Sequence, residues 1–217
     1  MITIRPGDQR GRADYGWLQA RYSFSFARYF DPAHTGFRAL RVINQDVVAP
    51  GRGFPEHPHD NMEIITYVIS GAIAHRDSTG AQRTVRPGQI QHMSAGSGVT
   101  HSEFNPSKDE PLHLLQVWIE PARQGVRPAY NELTIDESRR RDGLVALASP
   151  DGRDGSIAIN ADARVYSLRL TPGRGATIAL ATGRHAWVQV ARGRLTVNGA
   201  ALGPGDGAAI SDEPELN

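Results

Sequence analysis

The chain contains no cysteine. Disulfides, thiolate-held metals and cysteine nucleophiles are thereby excluded together, and the usage suits a reducing compartment. No run approaches the ~20 apolar residues of a membrane span. The opening residues, MITIRPGD, carry no apolar signal core, so the expected location is cytoplasmic. An excess of one charge is also missing. The net charge is +1, which leaves no global attraction for nucleic acid. The one tight basic run, Arg139-Arg140-Arg141, is flanked by Asp136, Glu137 and Asp142 and reads as a solvated turn. Helical periodicity is scarce too, with no amphipathic stretch longer than about two turns.

What is present is a β pattern. The 217 residues are 39% apolar, enough for a sizeable core. Glycine (23) and proline (14) are spread along the chain, and they separate short apolar runs that alternate or are rich in Val, Ile and aromatics. That is the pattern of an all-β sandwich or barrel. Strands are expected over 37–48, 64–69, 72–75, 90–93 and 113–120. They resume over 165–170, 177–180, 187–190, 195–197 and 208–210. Proline and glycine punctuate 121–162, which reads as the crossing between two halves.

The second half echoes the first. Residues 67–73 recur as 189–195, and the Pro-Gly turn at 86–89 recurs at 203–206. The expected architecture is therefore two related β-domains, 1–125 and 126–217. With Gly71 aligned on Gly193, His57 falls on Ala179 and His59 on Ala181. The C-terminal domain is expected to lack metal ligands and to support the first. Residues 212–217 read as a loop, with a closing strand expected beyond them.

One stretch, 51–103, carries the chemistry. His57 and His59 stand at i, i+2, and so do His101 and Glu103. Residues two apart on a strand share a face, so each pair can converge. Three imidazoles and a carboxylate hold a first-row metal and leave positions open. Glu63 is an even step from both His57 and His59. It could also face inward, or orient a ligating imidazole through its other nitrogen. Pro58 lies between the two histidines and confines them to a strand start or an edge. A lone histidine is ordinarily a hydrogen-bonded core or surface residue. His34, His75, His92, His113 and His185 are left in that class, with His92 and His113 the two that could line a pocket. Phe24 and Phe26 would share a strand face, either in the core or over a pocket mouth.

The pattern Gly51-x5-His57-x-His59-x3-Glu63, followed by a Pro-Gly turn and Gly98-x2-His101, resembles the cupins. More narrowly, Phe54-Pro-Glu-His-Pro-His59, Met93-Ser-Ala-Gly-Ser-Gly98, His101-Ser-Glu103, Ser23-Phe-Ser-Phe26 and Tyr29-Phe-Asp-Pro32 resemble the pirin branch of that superfamily. The resemblance runs to about Glu120 and, more loosely, to the end. It implies a bicupin, two small β-barrels in one chain. It assigns the metal to His57, His59, His101 and Glu103, in preference to Glu63. The metal would be one divalent transition ion, Fe(II) first, with Mn, Co, Ni, Cu or Zn as alternatives.

The resemblance further implies quercetin 2,3-dioxygenase activity. A flavonol would bind through its 3-hydroxyl, Glu103 would take that proton, and O2 would open the heterocyclic ring with release of carbon monoxide. Phe24, Phe26 and Phe54 would be walls for the flat substrate. Eukaryotic pirins are nuclear regulators, so a metal-binding redox sensor or protein-binding regulator is the alternative. A metal-dependent isomerase, or a dioxygenase with another substrate, is a third reading. No direct nucleic-acid or membrane partner is expected, a protein partner is possible, and the chain is expected to be a monomer.

Overall fold

The structure, a computed structural model, describes residues 1–217. It is almost wholly β. In chain order the strands are β1 Ile2–Arg5, β2 Gly11–Asp14, β3 Leu18–Tyr22, β4 Leu40–Val48, β5 Gly53–His59, β6 Glu63–Ser70, β7 Ile73–Asp77, β8 Gln82–Val85, β9 Gln89–Ser94, β10 Val99–Phe104, β11 Leu112–Ile119 and β12 Ala129–Thr134. A one-turn helix, α1 Glu137–Arg140, follows; Asp136 caps it by accepting from the Ser138 and Arg139 N–H groups. Then come β13 Val145–Ser149, β14 Ile157–Ala158, β15 Val165–Ser167, β16 Ile178–Ala179, β17 Ala186–Gln189, β18 Leu195–Val197, β19 Ala200–Leu202, β20 Gly207–Ile210 and β21 Glu215–Leu216. No helix is long and apolar enough to cross a membrane.

Two sheets build the first barrel: a seven-stranded sheet ordered β12-β9-β6-β11-β4-β3-β2 and a four-stranded sheet ordered β5-β10-β7-β8. Leu18, Val48, Val68, Ile73, Val85 and Leu114 pack together from both sheets. The large sheet is buried on its other face as well. There Ile65, Ile90 and Ile119 meet Leu147, Ile157 and Ile159 of the second half. Burial on both faces explains the unbroken apolar run of β6. Its alternation still matters: Ile64, Thr66 and Val68 look one way, and Glu63, Ile65 and Tyr67 the other. The second half has its own core of Val190, Val197, Leu202, Ala208, Ile210 and Leu216.

The two halves exchange arms. β1 pairs with β20 of the second half. β12 returns to pair with β9 of the first, so the expected division at 125/126 passes in front of a strand that belongs to the first barrel's sheet. The segment read as a loopy crossing in fact holds β12, α1, β13 and β14. β13 is buried at every residue. A five-residue run buried on all sides has no period to detect, and the surrounding Pro and Gly masked it. The C-terminal residues read as a loop contain β21, which pairs with β16.

A candidate metal centre

β5 and β10 lie side by side and antiparallel. Their register sets His101 opposite His57 and Val99 opposite His59. β5, carrying Pro58, is an edge strand, so the missing N–H interrupts no central ladder. Between the His101–His57 and Glu103–Phe54 pairs the edge strand β5 carries one extra residue, a bulge, while β10 stays regular and its i, i+2 alternation keeps His101 and Glu103 on one face. Gly53 is required beside it, because a Cβ there would collide with the Glu103 and Phe104 backbone.

The ring centroids of His57, His59 and His101 lie 4.5–4.9 Å apart. The Nε2 atoms of His57 and His101 are 3.0 Å apart. Hydrogen bonds settle what faces what. The His57 Nδ1–H donates to the Pro55 carbonyl at 2.7 Å, which leaves Nε2 bare. His101 Nδ1 is 3.4 Å from His75 Nδ1, and His75 Nε2 is 2.9 Å from Asp77 Oδ2. Asp77 is held ionised: burial pushes it up, but hydrogen bonds from His75, Thr79 and Ala81 outweigh this and bring it below the usual carboxylate range. His75 Nε2–H donates to the ionised Asp77, and with the His101 proton on Nδ1, toward His75, the His101 Nε2 is bare as well. In that tautomer two lone pairs face each other across 3.0 Å, a spacing that suits a cation held between them. Two cis nitrogens at ~2.1 Å from one ion would be ~3.0 Å apart. The donor set fits a divalent metal. Burial, reinforced by neighbouring imidazoles, lowers His59 to about 4 and His101 to about 2, so both are in the neutral, ligating form.

Glu103 is fully buried and lines the same cavity as His57 and His59. Its acceptor atoms group with His101 and His75, all within 4.8 Å of one another. Burial pushes its carboxyl up. Gln91 Nε2 donates to Oε1 at 2.5 Å and Gln116 Nε2 to Oε2 at 2.9 Å. The Trp118 indole N–H donates to Gln116 Oε1 at 3.0 Å, which turns that amide's NH2 toward Glu103. The cavity is about 280 Å³, walled by Leu18, Tyr22, Phe26, Phe54 and Trp118. His59 stands edge-on to Trp118 at 4.9 Å.

Several expectations are corrected. Glu63 is on the far face of β6, where it accepts from Ser94 and pairs with His92 at 2.7 Å. It neither faces the imidazoles nor orients them. His92 is thereby part of the seam between the halves, and His113 is bound to Gln45 at 2.8 Å; neither lines the cavity. Phe24 packs on Trp187 at 4.8 Å in a separate cluster and is not a wall. The strand ends at Tyr22 and the chain bends at Ser23 and Phe24, so the two phenylalanines do not share a strand face. Phe26 and Phe54 do line the cavity. His75, set aside as ordinary, is completely buried against His101. The signal for it was His75-x-Asp77 at i, i+2, the same spacing that marked the other pairs.

A family model described as Pirin matches residues 4–119, and one described as Quercetinase C-terminal cupin domain matches residues 146–217. The chain is 44% identical over 217 residues to a quercetin 2,3-dioxygenase of Escherichia coli K12, covering 100% of this chain and 93% of that protein. A pirin-like protein of Caulobacter vibrioides is 44% identical over 214 residues, 98% of this chain and 92% of its own length. The crystal structure of the bacterial pirin YhhW from Escherichia coli, in complex with nickel(II), matches with a TM-score of 0.95 at 43% identity, over 100% of this chain and 92% of that one.

Proposed function

The chain belongs to the pirin family, and from that premise we propose that it is a metal-dependent dioxygenase that opens the heterocyclic ring of a flavonol such as quercetin with O2 and releases carbon monoxide. The observation that carries this reading is the pair of Nε2 atoms of His57 and His101, 3.0 Å apart, beside an aromatic-walled cavity that His57, His59 and Glu103 line. His57, His59, His101 and Glu103 would hold the ion. Fe(II) is the first choice, and the nickel in YhhW supports a divalent ion more generally. When bound, the ion supplies Lewis acidity and access to O2 chemistry.

The protein's own groups do the rest. Phe26, Phe54 and Trp118 sandwich a flat substrate and exclude water. Glu103 is positioned to take the proton of the 3-hydroxyl. Gln91 and Gln116 hold its carboxylate in place before and after that transfer. The residues of the division proposed here as 126–217 supply no ligand; they pack behind the sheet that carries Gln91 and Gln116.

The test is quercetin consumption, followed by flavonol absorbance and carbon monoxide release, with the protein reconstituted with Fe(II). Carbon monoxide from wild type and none from a folded His101→Ala variant is the expected result. No turnover with Fe, Mn, Co, Ni or Cu, in protein that demonstrably holds the metal, overturns the reading in favour of a sensor or protein-binding regulator.

A further inference from the structure

Two polar side chains of β4, Asn44 and Asp46, line the cavity alongside His57, His59 and Glu103. They are 3% and 5% exposed, yet neither Asn44 Oδ1 nor Asp46 Oδ1 has a hydrogen-bond partner in the protein. Buried acceptors are normally paired, and an unpaired one is destabilising. The register explains why the barrel supplies no donor. Asp46 stands opposite Leu114 on β11 and Ala20 on β3, both apolar. Asn44 stands opposite Gln116 on β11, whose NH2 is engaged by Glu103 and whose carbonyl is engaged by Trp118, and opposite Tyr22 on β3, whose hydroxyl bonds neither acceptor. Arg10 bonds Gln45, the neighbour of both residues on β4, and makes no hydrogen bond to either Oδ1. Around these two acceptors the cavity wall is aromatic or aliphatic: Leu18, Tyr22, Phe26, Phe54 and Trp118.

Resting on the dioxygenase reading above, we propose that Asn44 and Asp46 are a substrate-recognition pair that accepts hydrogen bonds from the ring hydroxyl groups of a polyhydroxylated aromatic. The wall selects for a flat ring, and the pair selects for hydroxyl groups upon it. A site with buried acceptors waiting for O–H donors discriminates strongly against analogues that lack them, because those acceptors then stay unpaired. Burial first, and the Glu103 charge second, push Asp46 up to about 7, against a smaller opposing pull from the Arg10 charge.

The test uses the nickel-loaded chain without O2. It is titrated calorimetrically with quercetin and with 3-hydroxyflavone, which keeps the chelating oxygens but lacks the other hydroxyl groups. Wild type should bind quercetin at least about tenfold more tightly. Asn44→Leu and Asp46→Leu should each narrow that ratio about three- to tenfold by weakening quercetin alone. Asp46→Asn, which keeps a carbonyl acceptor, should retain most of it. The Leu variants should melt no lower than wild type, since an apolar isostere replaces an unpaired polar group. A wild-type ratio near one, a ratio that survives both Leu changes, or equal loss of both ligands with a lowered melting temperature overturns the pair. In the first two cases flavonols still bind and the dioxygenase reading stands. If neither flavonol binds nickel-loaded wild type, that reading fails and the pair fails with it.

Discussion

At the scale of single residues, the distinctive feature is a line of groups running outward from His101. Asp77 fixes His75, and His75 fixes which nitrogen of His101 is bare. Such partners orient the ligating ring and raise its basicity. His75→Ala or Asp77→Asn should therefore weaken metal binding about 10–100-fold, measured by competition against a chromophoric chelator. Unchanged affinity in a variant that melts like wild type would refute this role for the dyad. The three histidines proposed as ligands were readable from spacing alone, because i, i+2 on a strand is a rule about one chain segment. His75 was not, since its meaning depends on β7 pairing with β10, which sets His75 opposite Glu103 and Asp77 opposite His101.

At the scale of elements, β6 shows how one strand serves two interiors. Its inward face gives Thr66 to the glutamine that holds Glu103. Its outward face gives Glu63 to the seam, where the carboxylate also accepts from the Asn160 backbone N–H. Burial pushes Glu63 up, but the His92, Ser94 and Asn160 hydrogen bonds outweigh it and leave the group below its ordinary range. A folded value below the unfolded one means that the unfolded chain binds more protons in between. The stabilisation is thus fully present above the unfolded value and is lost as pH falls through the folded one. Glu63→Gln should cost about 3 kcal/mol near pH 7, by urea denaturation, and the deficit should shrink as pH drops below about 4. A deficit that stays constant down to pH 3 would refute this assignment. The all-β class was legible from Gly/Pro spacing. β13 was missed because full burial erases the alternation that marks a strand.

At the scale of the whole molecule, the two halves share a core. Leu147 of β13 is 2% exposed and packs in the cluster that includes Ile65 and Ile119 of the site-bearing sheet. β1 and β12 each cross to the other half's strands. Leu147→Ala, which touches no candidate ligand, should cost about 2–5 kcal/mol. It should also lower a single calorimetric transition of the metal-free protein. Two separate transitions, only one of them shifted, would contradict shared cooperativity.

The sequence by itself determined the all-β class, the family resemblance, the three imidazoles and the glutamate that accompanies them. The class and the candidate pairs follow from local rules, the period of two along a strand and the turn chemistry of Gly and Pro, while the preference for Glu103 over Glu63 leaned on the family resemblance as well. Only the tertiary structure decided that Glu63 belongs to the seam, that Phe24 leaves the pocket while Phe26 stays, and that His75 and Asp77 stand behind His101. It alone brought Asn44 and Asp46 to the cavity wall without partners. Each of these depends on which strands are neighbours and on which face of a twice-buried sheet a residue falls. Strand pairing is a long-range choice, made by packing energy across the whole barrel, and no short window of sequence contains it.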